Sequence, residues 1–256
     1  MDMIPAPNGD LLDPATGRRW ITMSNALTRA AHGLTLAEKR IIGMAVATLN
    51  PRKELAPGEA PATKITAADY ADAFGVDLNT AYEQLQGASK QLYNRSITFF
   101  EAAHRRRGKP LEPTRVTMRW VGSVRYAKGE GTVTLKWWHE VLPHLTGLKG
   151  HFTKYQLEQA SALRSAYSWN LLKLLMRFES TGWAEYTIED FAESMEATPK
   201  QRQNFNNIKR RMIEPAVKEL TEKDGWLIEW KPIKAGRKVK AVRFDFKRDP
   251  QGRLEL

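Results

Sequence analysis

Twice along this chain a short helical stretch closed by a turn leads into a longer one, and alternating segments follow. In the first half the pair covers 66–74 and 79–93, with a turn at Gly75 and Thr66 placed to cap the shorter helix. In the second half "AEYTI" reads as a short strand and "IEDFAESM" as a short helix. Thr198 and Pro199 then open a long helix predicted over 199–222. Helical stretches also precede each motif, so both halves run helix, helix, short strand, short helix, turn, longer helix, hairpin. That order predicts an α+β fold of tandem winged-helix domains, two helix-turn-helix units each followed by a β-hairpin wing.

The predicted organisation has four parts. Residues 1–20, rich in Pro, Gly and Asp, form a flexible arm. The first winged-helix domain covers 21–148 and the second 149–248, with the boundary among Gly147, Gly150 and their neighbours; 249–256 is a tail. In the first domain, Ser24 or Asn25 caps a helix that Gly33 ends. Thr35 and Glu38 form a capping box for another, with Ile41, Ile42, Met44, Ala45, Val46 and Leu49 as its core set. Residues 63–65 and 95–100 read as strands, and segments 114–127 and 132–138 flank "KGEG" as a hairpin. The second wing is "WLIEWKPIKAGRKVKAVRFDF", with its tip at 232–238.

Charge separates the two halves of the second domain. The chain carries a net +11 over 256 residues, which suits a polyanion partner because each Lys or Arg that meets a phosphate releases condensed counterions. Residues 151–199 hold four basic and seven acidic side chains, a net of −3, whereas 200–248 hold fifteen and six, a net of +9. The positive charge is therefore concentrated on the long helix and its wing.

Helical periodicity divides residues 199–222 into two faces. Phe205, Ile208, Met212, Ala216 and Leu220 share one, with Ile213 at its edge. Lys200, Gln203, Asn204, Asn207, Arg210, Arg211 and Lys218 share the other, and Arg202 and Lys209 lie on the flanks. Asn, Gln and Arg carry the amides and forks that match base edges in a major groove, while Lys suits phosphates. A solvated face is the competing reading, but such faces mix Glu with Lys, and here Glu214 is the outward acid before Glu219. Pro215 predicts a kink between a reading half and a packing half. In the wing, Lys231, Lys234, Arg237, Lys238 and Lys240 gather near a turn suited to phosphates. The loop "HRRRGK" offers Arg105, Arg106 and Arg107 similarly. In the first domain Tyr82, Leu85, Ala88 and Leu92 form the predicted core stripe, and the outward positions Thr80, Glu83, Gln86 and Lys90 are nearly neutral. Lys90 is the contact candidate there.

Several function classes find no support. There are no cysteines, hence no disulfide, thiolate metal site or Cys nucleophile, which fits a reducing cytoplasm. The acidic start lacks the pattern of a signal peptide, and no apolar run is long enough to span a membrane, so the chain is expected to stay in the cytoplasm. No phosphate-binding G-x-x-x-x-G-K-[ST] occurs, and the five histidines lack metal-ligand spacing. Neither an enzyme nor a cofactor is expected.

Four stretches, "SNALTRAAHGLTLAEKRII", "WHEVLPHLTGLKGHFTKYQL", "LRSAYSWNLLKLL" and "FNNIKRRMIEPAVKELTEKDGWLIEWKPIKAGRKVKAVRFDF", resemble the Rep initiators of iteron-containing bacterial plasmids. The resemblance runs from about residue 22 to 247. It implies two winged-helix domains, binding of double-stranded DNA repeats at a plasmid origin as a monomer, and recruitment of host initiator, helicase and primase proteins. It also implies a homodimer, joined through the first domain, that binds an inverted repeat and represses its own gene. By position, "IKRRM" matches the family's recognition helix and points to Lys209, Arg210 and Arg211. A tandem winged-helix transcriptional regulator without a replication role is the alternative, and RNA binding through the wing a third.

Overall fold

The computed structural model describes residues 19–101 and 114–249. The expectations for residues 1–18 of the arm, for Arg105, Arg106 and Arg107, and for 250–256 of the tail lie outside the described residues. Two compact units make up the chain. Among the described residues the first reaches Ser161 without Thr28–Ala31, and the second comprises Thr28–Ala31 and the stretch from Ala162 to Asp249.

That division corrects the boundary expected at 148/149. Strand β1 (Trp20–Ser24) pairs antiparallel with β7 (Phe152–Gln156), Trp20 opposite Gln156 and Ser24 opposite Phe152. The glycines at 147 and 150 therefore belong to a loop inside the first unit, and Trp20 belongs to a strand. The partners are too distant in sequence for local patterning to join them.

Helix α1 (Asn25–Arg29) starts in the first unit, where Ser24 Oγ accepts the Leu27 N–H at 3.2 Å, and its last two residues fall in the second. The expected capping box opens α2 (Leu36–Ala47), where Glu38 has a second partner. Its Oε2 accepts the Thr35 N–H at 2.7 Å and its Oε1 accepts Arg95 Nε at 2.9 Å, so a carboxylate only 1% exposed keeps both oxygens engaged. Strand β2 (Ala62–Thr66) leads into α3 (Ala67–Phe74), capped by Thr66 and ended by Gly75 at φ +55°. Then α4 (Leu78–Leu92) follows its Asp77 cap.

Beyond α4 the structure departs from the expected hairpin. Segment 114–127 breaks at the fully buried Trp120. Its first part, β4 (Thr114–Arg119), pairs with β3 (Ser96–Glu101); its second, β5 (Val121–Ala127), pairs with β6 (Thr132–Trp137) through a register shift between Val121 and Ser123. Strand β6 also takes β2, giving the order β2-β6-β5. The first unit is thus a winged helix with an extra hairpin inserted before its wing. The core stripe of α4 is Ala81, Leu85, Ala88, Ser89 and Leu92. Tyr82, expected in that stripe, is instead half-buried against the wing turn, where a Cβ on Gly131 would fall 2.0 Å from its ring.

The second unit begins with α5 excluded, since Leu157–Ser161 packs in the first. Its central helix is α6 (Ala166–Met176), buried from Ser168 to Met176. Strand β8 (Trp183–Thr187) and α7 (Ile188–Ser194) follow, and β9 (Trp226–Ala235) with β10 (Lys238–Arg248) completes a sheet of order β8-β10-β9. Tyr186 fastens β8 to α6: its hydroxyl donates to the Leu174 carbonyl at 2.8 Å and accepts from Arg177 Nη1 at 3.4 Å. Burial pushes its phenol up to about 12. Among the described residues no helix is long and apolar enough to cross a membrane.

Two glycines give opposite expectations. Gly131 needs φ +58° and has no room beside Tyr82, so Gly131→Ala should destabilise by about 1–3 kcal/mol. Gly87 lies inside α4 with open space around it, so Gly87→Ala should stabilise by about 0.5–1 kcal/mol. Urea unfolding of both variants measures the two signs.

Candidate nucleic-acid interface

The long helix expected over 199–222 is two helices. Thr198 and Gln201 form a reciprocal capping box around Pro199 and open α8 (Pro199–Arg202). At Asn204 the backbone is extended, φ −144° and ψ 126°, and its side chain caps the next start by accepting the Asn206 N–H at 2.8 Å. Asn favours caps over helix interiors because its short amide competes for backbone groups. From there α9 (Phe205–Ile208), a π-helical turn (Lys209–Ile213) and α10 (Glu214–Asp224) run without a gap. The kink expected at Pro215 takes the form of that wider turn, in which the Glu214 N–H reaches the Lys209 carbonyl.

One face of this helix is held inside the unit. Ile208, Met212, Ile213, Ala216 and Leu220 have no exposure at all, and α10 packs on α6. Ile213, expected at the edge of the stripe, is as buried as its neighbours. Each residue of a π-turn advances less around the axis than in an α-turn, which brings both Met212 and Ile213 inward. Phe205 is half-buried. Glu219 also faces the unit, where its Oε1 accepts the Arg164 N–H at 2.6 Å ahead of α6.

Hydrogen bonds sort the candidate residues on the other face. Arg202 turns back and donates through Nε to the Ala197 carbonyl at 2.8 Å. Asn207 donates through Nδ2 to the Lys200 carbonyl at 3.4 Å, and Asn204 is a cap. These three shape the turn. Lys209 meets Glu214 at 3.5 Å, and Lys218 meets Glu222 at 3.8 Å. Lys200, Gln203, Arg210 and Arg211 are exposed and have no side-chain partner among the described residues. Arg210 and Arg211 leave the π-turn on consecutive positions.

Strands β9 and β10 extend further than expected, so the wing turns in two residues, Gly236 and Arg237, with Gly236 at φ +62°. Lys234, Arg237, Lys238 and Lys240 are all exposed near this tip. A lock at the other end joins wing to helix. Trp226 Nε1 donates to Asp224 Oδ2 at 2.8 Å, and Arg248 Nη1 donates to Asp224 Oδ1 at 3.1 Å. The Arg248 guanidinium also lies 3.9 Å from the Trp226 ring centroid, and the Asp249 N–H reaches the Gly225 carbonyl at 2.9 Å. Burial pushes the Asp224 carboxyl above its ordinary range, and Arg248 and Trp226 oppose that push.

The first unit presents a more balanced surface. Lys90 is exposed in the last turn of α4, on a helix that also exposes Glu83. At its wing turn Glu130 pairs with Lys64 of β2 at 3.3 Å. Arg125 and Lys128 are exposed there too, although the sequence pattern does not single them out. Among the described residues no group of three or more His, Asp or Glu is placed to hold a metal ion.

Fold and surface together define a protein with two winged-helix units, the second carrying a basic helix locked to a basic wing. Residues 20–176 match the first winged-helix domain of the initiator replication proteins and residues 187–246 match the second, and the chain belongs to that family. It is 24% identical over 250 residues to the PI protein of Escherichia coli, covering 87% of this chain and 80% of that one. It is 24% identical over 202 residues to a replication initiation protein of Escherichia coli, covering 77% and 60%. A crystal structure of the Pi initiator protein in complex with iteron DNA shares the fold, with a TM-score of 0.74 at 23% identity, covering 91% of this chain and 98% of that one.

The lock generates a prediction. Arg248→Ala leaves Asp224 buried without its cation and should cost about 1–3 kcal/mol in unfolding free energy near neutral pH. The Asp224 carboxyl pKa, already raised, should rise further in the variant, so the deficit should shrink as pH falls and the carboxyl takes up its proton. Denaturant unfolding at several pH values measures this.

Proposed function

We propose that this chain is a sequence-specific double-stranded DNA-binding initiator of plasmid replication. Membership of the initiator family supports the class, and the two uncommitted guanidiniums of Arg210 and Arg211 carry the reading of bases. An Arg fork donates two parallel hydrogen bonds to O6 and N7 of a guanine in the major groove, which a solvated lysine cannot match. Lys200 and Gln203 flank that contact. Lys234, Arg237 and Lys238 on the wing, with Lys209 and Lys218 beside the helix, meet phosphates and set register. Arg202, Asn204 and Asn207 act by holding the turn between α8 and α9. Lys90, Arg105, Arg106 and Arg107 supply auxiliary backbone contacts from the first domain.

In this proposal the chain binds origin repeats as a monomer; the complex of the Pi initiator with iteron DNA supports the choice of repeat DNA as the ligand. A dimer formed through the first domain represses the chain's own gene at an inverted repeat. Host initiator, helicase and primase proteins are the onward partners. The working compartment is the cytoplasm.

Titration of the purified protein onto DNA flanking its own gene, with random DNA as competitor across a salt series, tests the proposal. Stepwise binding of one protein per repeat is the expected outcome, whereas binding only at a promoter palindrome would make the chain a transcriptional regulator. On the repeat, Arg210→Ala should cost about 1–3 kcal/mol and relax preference at one base pair. An equal loss on random DNA would reassign Arg210 to a phosphate. Lys238→Ala should lower the slope of log K against log salt by about one.

A further inference from the structure

Pro215 stands in the exposed part of a continuous helix, outside its buried set. A proline there removes a backbone donor, and nothing that it buries offsets the loss. The consequence is visible one turn earlier. In an α-helix the N–H of residue 215 would serve the Arg211 carbonyl and that of Glu214 would serve Arg210. Here position 215 has no N–H, and the Glu214 N–H passes over Arg210 to the Lys209 carbonyl. Neither Glu214 nor Pro215 serves Arg210, so the π-turn lies under the pair of arginines that face outward. The same turn carries Met212 and Ile213 into the core side by side.

We infer that Pro215 is a positioning residue for DNA readout: it holds the π-turn that sets the direction in which Arg210 and Arg211 leave the helix. This inference rests on the proposed role of Arg210 as a base contact. An N–H at position 215 permits the regular α-register. Each residue of an α-turn advances further around the axis, so the segment carrying both arginines turns relative to α10. Because Ile208 anchors the helix on one side and Ala216 and Leu220 on the other, the fold survives this change while the guanidiniums are displaced. A guanine fork tolerates little misalignment, whereas attraction to phosphates tolerates much.

A double-mutant cycle on the full chain tests this with Pro215→Ala, Arg210→Ala and the combined variant, each titrated onto the repeat DNA and onto random DNA. Alanine is a good helix former at an exposed position, and Ile208, Ala216 and Leu220 keep the helix seated, so Pro215→Ala should still unfold in one cooperative transition, its thermal midpoint lowered only by what the shift of Met212 and Ile213 costs. Its affinity for the repeat should fall by about tenfold while its affinity for random DNA holds. In the Arg210→Ala background the added Pro215→Ala change should cost less than about twofold, the mark of one residue acting through another. Repeat binding by Pro215→Ala at the parent's affinity would overturn the inference, as would equal losses on both DNAs or losses that multiply in the combined variant. An Arg210→Ala variant with undiminished repeat binding would overturn the base-contact reading itself.

Discussion

Five side chains with no exposure, Ile208, Met212, Ile213, Ala216 and Leu220, set the geometry of the second unit. Fully burying an Ile, Leu or Met side chain is worth about 1.5–3 kcal/mol, so the rotation of this helix about its own axis is firmly set. With that face held on the α6 side, the opposite face meets solvent. The Asp224–Trp226–Arg248 lock then ties the end of the helix to the base of the wing. Apolar burial sets the helix's rotation, and a buried hydrogen-bonded charge sets the attachment of the wing.

On the outward surface, commitment matters more than composition. Arg202, Asn204 and Asn207 are of the residue types that read bases, yet each is engaged in local hydrogen bonds that build the turn. Lys209 and Lys218 sit near acids, and exposed pairs of this kind contribute little stability. Lys200, Gln203, Arg210 and Arg211 are the side chains of that face left without a side-chain partner among the described residues. The first unit has the same architecture without that surplus, because Glu83 and Glu130 offset the charges near its longer helix and wing. The two copies of one fold thus differ in the charge they expose.

The capping signals were legible because capping is local. Thr35 with Glu38, Thr66 with Gly75, and Thr198 with Pro199 each act within one turn of backbone. The winged-helix order followed from those signals and from the change of hydrophobic period. Some features depended on neighbours that no window contains. Trp120 breaks a run of strand residues by entering the core, and Tyr82 leaves the predicted stripe to lie on Gly131. Asn204 looked like an outward helical position, although its residue type was the available signal for a cap.

By itself, the sequence determined where helices start, which faces are apolar, and that positive charge gathers after residue 199, since these follow from residue type and spacing. The tertiary structure decided the pairing of β1 with β7, and so the limit of the first unit at Ser161. It also decided which polar side chains are committed, and that the helix crosses Pro215 through a π-turn. Those outcomes depend on which backbone donors find acceptors once the core has closed, and a donor's partner is a property of the folded chain.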